Sequence, residues 1–186
     1  MTHHSFTPKT IPCAMCSIDN LYECVPQTQI DGLRMVSEIF RKAGVNHAVV
    51  GGLAVGANGY LRNTDNLDFL VDDSAFVYRD KIVYVRNDLP IKCLGTKVNW
   101  ISMAPSEKPI FGRYLLLPAR DQVPIMPIEP LIGMKLIAGR HKDKTDIIEL
   151  VKLRSDLTSI TEFTATNLPR LLPLLNELII CAEEEK

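Results

Sequence analysis

A short apolar run that ends in two glycines constrains the fold of this chain more than any other feature. Residues 47–50 are apolar enough for a buried strand, and Gly51 and Gly52 follow directly. Glycine lets the backbone turn sharply and approach a ligand closely. Residues 53–59 can form a helix whose free N–H groups face that turn and favour an anion there. The order strand, glycine turn, helix predicts an α/β fold with a ligand site at the turn.

A second predicted strand, residues 67–71, carries an acid in an otherwise apolar run. Strand alternation places Asn66 and Asp68 on one face, toward the glycine turn, with Leu67 in the core. By the same alternation Asp65 should point to the opposite face, unless a local bulge turns it inward. The alternative for Asp68 is a surface carboxylate at a sheet edge.

The remaining pattern predicts a mixed sheet with flanking helices and a helical C-terminal lobe. Residues 1–28 contain three prolines and no apolar period, which predicts an extended arm. A helix should begin at Asp31 as its N-cap and end at Gly44. We therefore divide the chain into the arm, a core at 29–120 and the lobe at 121–186. Further strands are predicted at 81–86, 98–102 and 113–117, a loop at 118–130, and helices at 131–138, 143–154 and 168–182.

The segment around Asp68 resembles a motif of the nucleotidyltransferase fold of the DNA polymerase β superfamily. It is most similar to the minimal nucleotidyltransferases and the AbiEii-like toxin group, whose motif runs Arg-x-Thr-x-Asp-apolar-Asp. The corresponding residues are Arg62, Thr64, Asn66 and Asp68. The likeness covers roughly residues 30 to 155, and it implies a nucleotidyltransferase-like mixed sheet with a ligand cleft.

A second block also resembles this group and lies in the order that the family shows. It runs from Glu129 to Asp146 and places Lys135 on a predicted helix, followed by Arg140 and Asp143. The family has a Lys on a helix, then Arg, then Asp-x-x-Asp-apolar. Two separate motifs in this order make the resemblance more specific for the fold than the glycines alone.

The metal site that the resemblance implies is depleted in this sequence. The superfamily is expected to hold Mg²⁺ with three carboxylates, which neutralise the charge of the transferred phosphate. The first position is Asn66, and Asn99 best matches the third. An amide offers a neutral oxygen but no charge, so Asp68 alone remains as a weak metal ligand. The link from Asp68 to Asn99 also lacks the length for a long helix that many relatives have there.

The resemblance and the residue chemistry together give a set of candidate site residues. The cationic residues could hold an anionic or carbonyl-bearing ligand, and the acids could transfer a proton. Lys142 and Lys144 fit a solvated helix face instead. Candidate catalytic residues are Asp68, Lys135, Asp143 and Asp146, and candidate ligand-binding residues are Gly51, Gly52, Arg62, Thr64, Asn66, Asn99, Arg140 and His141.

Three functions stay open at this point. The first is a nucleotidyltransferase scaffold that binds or transforms a small molecule and needs no cofactor. The second is an active transferase that uses Mg²⁺ and an NTP to move a nucleoside monophosphate to a hydroxyl. The third is a non-catalytic module that binds a partner, or a second copy in a homo-oligomer, through the apolar helix at 168–181; the alternative for this helix is burial on two sides within the C-terminal lobe.

Composition narrows the classes of partner. The formal net charge is −1 and the isoelectric point about 6.4, so the chain lacks the basic excess typical of nucleic-acid binding. No stretch reaches the ~20 apolar residues of a membrane span, and the N-terminus does not resemble a secretory signal. We therefore expect a small-molecule partner rather than nucleic acid or membrane.

The cysteines predict a reducing compartment. The chain has five, an odd and scattered set that is typical of reduced thiols in the cytoplasm. Cys13 and Cys16 could begin a zinc site that Cys24 and His3 or His4 would complete. Because no second pair of this spacing follows, ordinary thiols are the alternative that we favour.

Overall fold

The structure is a computed structural model that describes residues 18–21, 25–79 and 82–185. Cys13, Cys16, Cys24 and both N-terminal histidines lie outside the described residues, so the zinc alternative is not addressed by it. In the described part of the predicted arm, Ile18–Leu21 forms a 3₁₀ helix. The Leu21 side chain is fully buried and packs against Gly56, in the helix that begins at Gly51.

The described residues form a mixed α/β fold, as predicted, in which the strands lie between residues 47 and 101 and helices lie both before and after them. The strands are β1 (His47–Val49), β2 (Asn66–Val71), β3 (Phe76–Arg79), β4 (Ile82–Val85), β5 (Lys92–Cys93) and β6 (Thr96–Ile101). The helices are α1 (Gln27–Lys42), α2 (Gly51–Ala57), α3 (Lys108–Phe111), α4 (Ile128–Ala138), α5 (His141–Lys152), α6 (Thr158–Asn167) and α7 (Leu172–Glu184).

The main sheet has the strand order β1-β2-β6-β5 and mixes parallel with antiparallel pairs. Strands β2 and β6 run parallel, in a register that sets Asp68 opposite Asn99. Strands β1 and β5 are antiparallel to their neighbours. The connection between β2 and β6 consists of a 3₁₀ turn, the β3–β4 hairpin and β5 in its described residues, in keeping with the short link expected there.

Helix α1 packs on the sheet because one of its faces is apolar. Leu33, Val36 and Phe40 are buried along that face at helical spacing. The ring of Phe40 lies edge-on to His47 and Phe69, with centroid distances of 5.1 and 5.2 Å. This aromatic cluster joins α1 to β1 and β2 and forms part of the core.

The start of α1 differs from the prediction. The helix begins at Gln27, after Pro26, and Asp31 lies inside it rather than at the N-cap. Pro26 fixes its own φ at −52°, which sets the chain direction before the first helical residue. Asp31 instead accepts a hydrogen bond from the Gln27 side chain. The predicted end is confirmed, because Gly44 follows the helix with a φ of +72°.

Two strand predictions need correction. Residues 113–117 do not form a strand: Gly112–Tyr114 is a 3₁₀ turn, and only Leu116 bridges to His47 of β1. Strand β4 exists, but its residues are exposed on both faces instead of half-buried, because it pairs only with β3. The sequence pattern did not indicate β3 or α6.

The C-terminal lobe consists of packed helices, as predicted. Helix α4 contacts α5 and α6, and α5 contacts α7. Leu175, Leu178 and Ala182 of α7 are buried, whereas Ile180 is 55% exposed. The apolar surface of this helix is therefore used largely within the lobe. In the part of the chain that the structure describes, no helix has the length and apolar character to cross a bilayer.

Candidate functional site

A cavity of about 790 Å³ lies between the sheet and the corner where α4 meets α5. One wall, here called the sheet wall, is formed by the glycine turn, residues 62–66, Asp68 and Asn99. The opposite wall, here called the helical wall, includes Lys135, Arg140, Lys142 and Asp143. Both sequence blocks that carry the family resemblance therefore meet at one cleft.

The centre of the sheet wall is a carboxylate that is hydrogen-bonded to an amide. Asn66 and Asp68 are partly buried on one face of β2 while Leu67 is buried on the other, as strand alternation predicts. Asn99 lies beside Asp68 on β6, and its Nδ2 atom donates to Asp68 Oδ1 at 2.7 Å. A carboxylate at position 99 would repel Asp68, whereas the amide stabilises it without a metal ion.

The two glycines are required by close packing against this wall. Gly51 has a φ of +65°, and a Cβ atom there would lie 2.1 Å from Asp68 Oδ2. A Cβ atom on Gly52 would lie 2.8 Å from the Thr64 side chain. Both values are far below contact distance, so any side chain at either glycine would displace residues of the cavity wall.

Asp65 lies in a different place from the one expected. It precedes β2, which begins at Asn66, so strand alternation does not determine its direction. The residue is exposed and lines the cavity. The cleft therefore holds a second carboxylate, beside the sheet rather than on it.

The predicted cationic residues are held by the predicted acids. Arg62 donates from Nε and a terminal nitrogen to the two oxygens of Asp146, at 2.6 and 2.8 Å. Lys135 Nζ lies 2.5 Å from Asp146 Oδ2, and Asp146 is fully buried. Buried charges are tolerated when they are paired in this way. Asp146 lies behind the cavity wall and fixes the two cations there.

The second acid of this block is paired as well. Arg140 Nε donates to Asp143 Oδ2 at 2.6 Å, and Lys135 Nζ lies 3.4 Å from Asp143 Oδ1. Burial raises the pKa of Asp143, but the Arg140 hydrogen bond and the charges of Lys135 and Arg140 outweigh it and lower the pKa below its usual value. The hydrogen bond to Asp143 also raises the pKa of Arg140. Proton transfer by Asp143 and Asp146 stays a prediction, and both carboxylates already accept strong hydrogen bonds.

The residues of this cleft do not fit the Mg²⁺ pair that the resemblance implies. Hard cations require several carboxylate oxygens, and Asp68 is flanked by two amides, one of which presents its nitrogen. The acids of the second block are occupied by Arg and Lys side chains. Nowhere in the described ranges do three His, Cys, Asp or Glu side chains group so that they could hold a metal ion.

Another predicted site residue does not line the cavity, and several residues that line it were not predicted as site residues. His141 begins α5, is exposed and does not line the cavity, whereas Lys142 lines it and is exposed. Glu107, Phe111 and Met103 also line the cavity. The sequence pattern indicated none of these three: Phe111 lies in α3, which is too short to show a helical period, and Met103 and Glu107 precede that helix.

Comparisons with known proteins add no assignment. No protein-family model matches the chain, and neither a curated protein nor a solved structure is significantly similar to it.

Proposed function

We propose that this chain has a nucleotidyltransferase-like architecture whose cleft binds a small molecule without two-metal nucleotidyl transfer. One observation carries the proposal: the amide nitrogen of Asn99 donates to Asp68 at 2.7 Å, at the position where the resemblance implies the third carboxylate. With this nitrogen facing Asp68, the two side chains cannot bridge a divalent metal ion as a pair of carboxylates would. The resemblance of the two sequence blocks supports the architecture, and the amide contact supports the change of chemistry.

The size and lining of the cleft suit a small polar molecule. Ligand pockets commonly enclose about 300–1,000 Å³ and combine apolar surface with a few fixed polar groups. The cavity of about 790 Å³ has apolar residues such as Leu131 and Met134 on the helical wall and polar residues on the sheet wall. We expect a soluble ligand in a reducing cytoplasm, on the grounds of the odd cysteine count and the absence of a basic excess.

The test is Mg²⁺-dependent NTP consumption by the full chain. We expect no turnover by the natural protein and none by Asp68→Ala. The double change Asn66→Asp, Asn99→Asp restores the carboxylates of the motif and is the matched positive variant. Turnover by this variant alone would support the proposal, because it would show that only the charge of the site is missing.

Turnover by the natural protein that disappears in Asp68→Ala would contradict the proposal. It would instead establish the active transferase, with Asp68 as the principal metal ligand. A small molecule that binds to the natural protein but not to a variant with a blocked cleft, such as Gly52→Leu, would support the binding function directly. Circular dichroism of each variant separates loss of binding from loss of the fold.

A further inference from the structure

The carboxylate of Asp68 has hydrogen-bonding capacity that the protein does not use. Its Oδ1 atom accepts from Asn99, and among the described residues none donates a side-chain or backbone hydrogen bond to Oδ2. An ionised carboxylate offers about four acceptor positions. Asp68 also forms no ion pair with a Lys or Arg of the described ranges. A partly buried, unneutralised carboxylate at a cavity wall favours a ligand with a cationic donor group.

The cations nearest to this wall are fixed elsewhere. Arg62 is held by both oxygens of Asp146, and its side chain is only 16% exposed. Lys135 is 5% exposed and is held between Asp146 and Asp143. Moving either cation toward Asp68 would leave a buried aspartate unpaired, which is strongly unfavourable. Arg140 acts on Asp68 only through space, because its guanidinium is bound to Asp143. No cation of the described residues contacts Asp68, so its free oxygen is left for a ligand.

The two amides determine which cation fits. Asn66 and Asn99 both line the cavity beside Asp68, and each offers a neutral carbonyl oxygen. Because Asn99 uses its nitrogen to donate to Asp68, its oxygen remains an acceptor. Asp68 and the exposed Asp65 belong to no group of three metal-ligating side chains among the described residues, so this wall is a weak site for a divalent metal. A primary ammonium group carries a single positive charge and three donors, which matches this set.

From these contacts we infer that the cleft binds a small molecule through a primary ammonium group that donates to Asp68 and to the amide oxygens of Asn66 and Asn99. The inference rests on the proposed function, because it assigns the ligand class of the same cleft. The cavity of about 790 Å³ leaves room for a ligand body beyond the amine. Apolar side chains of the helical wall, Leu131 and Met134, would contact that body.

Matched pairs of amines and alcohols test this ligand class. The full chain, labelled with ¹⁵N, is titrated with 2-phenylethylamine and 2-phenylethanol, and with 1,5-diaminopentane and 1,5-pentanediol. The backbone resonances of Gly51 and Gly52 and the side-chain amides of Asn66 and Asn99 report on the cleft. We expect saturable shifts with at least one amine and binding of its alcohol weaker by about tenfold or more, the loss of one charge-assisted hydrogen bond.

The variant Asp68→Asn keeps the shape of the side chain and removes its charge, so it should weaken amine binding by about tenfold or more. Its control is Asp121→Asn, the same change at a side chain that is 88% exposed and remote from this cavity, with a φ of +63° that asparagine tolerates. We expect the control to bind the amine as the natural protein does. Thermal unfolding confirms that both variants are folded.

The inference would be overturned by an amine that binds no better than its alcohol, or by amine binding that Asp68→Asn leaves unchanged. Absence of shifts with either amine would overturn it as well. The proposed function fails on a different result, namely Mg²⁺-dependent nucleotide turnover by the natural protein. A ligand without an amine that occupies the cavity would contradict the inference and still support the proposed function.

Discussion

At the scale of single residues, the position of Asp68 requires that residue 51 has no side chain. Gly51 has a φ of +65°, and a Cβ atom there would overlap Asp68 at 2.1 Å. We expect Gly51→Ala to lower the free energy of unfolding through two effects, left-handed backbone strain and displacement of Asp68. Gly44→Ala is the matched control, because Gly44 has a similar φ of +72° and nothing within 4 Å of the added atom.

The difference in unfolding free energy between Gly51→Ala and Gly44→Ala measures the cost of the contact with Asp68, apart from backbone strain. Overpacking of this kind costs about 1–3 kcal/mol, so Gly51→Ala should be less stable than Gly44→Ala by that amount in urea unfolding. Equal losses of unfolding free energy in the two variants would show that backbone strain alone destabilises Gly51→Ala. That result would contradict the close contact between Gly51 and Asp68.

His47 predicts a dependence of stability on pH. It is fully buried, its Nδ1–H donates to the Val45 carbonyl at 2.9 Å, and its Nε2 lies 2.7 Å from the Ser37 hydroxyl. Burial lowers its pKa, although the Val45 contact and Asp72 oppose this. Below the ordinary pKa of about 6.5 the unfolded histidine binds a proton that the folded one does not. The contribution of His47 to stability is therefore fully present above that pH, and it is lost as the pH falls toward the pKa of the folded state.

Urea unfolding between about pH 7.5 and 5.5 checks this pH dependence. The natural protein should lose stability across this window, and His47→Gln should lose less of it. His141→Gln is the control, because His141 is exposed and its removal should leave the natural slope unchanged. A slope in His47→Gln as steep as in the natural protein would assign the effect to other groups.

Sequence periodicity predicted the position of some site residues but not the contacts of others. The shared face of Asn66 and Asp68 follows from strand alternation within three residues. The pairing of Arg62 with Asp146 spans 84 positions, and no local pattern encodes it. The predicted direction of Asp65 was wrong because strand alternation applies only from the first residue of the strand, which is Asn66.

At the scale of elements, Asp146 joins the segment before β2 to helices α4 and α5. It accepts from Arg62 and from Lys135 and is fully buried. Removing one partner of a buried ion pair typically costs about 3–5 kcal/mol. We expect Asp146→Asn to reduce the free energy of unfolding by about 3 kcal/mol, as measured by urea denaturation.

Asp88→Asn is the control for this prediction. Asp88 also accepts two hydrogen bonds from one arginine, Arg86, but its side chain is 57% exposed. Solvent screens exposed pairs, so the unfolding midpoint should stay close to that of the natural protein. Equal destabilisation by both variants would contradict the structural role assigned to the buried pair.

Most elements that were predicted correctly have a clear period. Strands β1, β2 and β6 have apolar runs or alternation, and α1 and α5 have apolar residues at helical spacing. Helix α4 is apolar on nearly all sides, and it begins at Ile128, inside the loop predicted at 118–130. Helix α6 was missed because its threonine-rich sequence has weak helical propensity; Phe163 buries against Gly133 of α4 and supports it. Residues 113–117 form an apolar run that begins in a 3₁₀ turn, and only Leu116 pairs with the sheet, which is too little for a strand.

At the scale of the whole molecule, the cleft forms where the segment around Asp68 meets the block from Glu129 to Asp146, which carries different functional groups. The sheet wall contributes the carboxylates of Asp68 and Asp65 and two amides, and the helical wall contributes Lys135 and Arg140, which are paired with acids of the same block. Backbone bonds between Val49 and residues 124–126 tie the core to the start of the lobe across the predicted boundary at 120/121. The site therefore depends on the packing of core and lobe, which a linear division of the sequence cannot describe.

The most direct test counts divalent ions in the cleft. Mn²⁺, used as a reporter for Mg²⁺, is titrated into the full chain with a non-hydrolysable nucleoside triphosphate, and bound ion is measured by electron paramagnetic resonance. The account predicts no bound ion that depends on Asp68 in the natural protein, and bound ions once Asn66→Asp and Asn99→Asp are combined. A pair of ions bound to the natural protein with the triphosphate, and lost in Asp68→Ala, would contradict it.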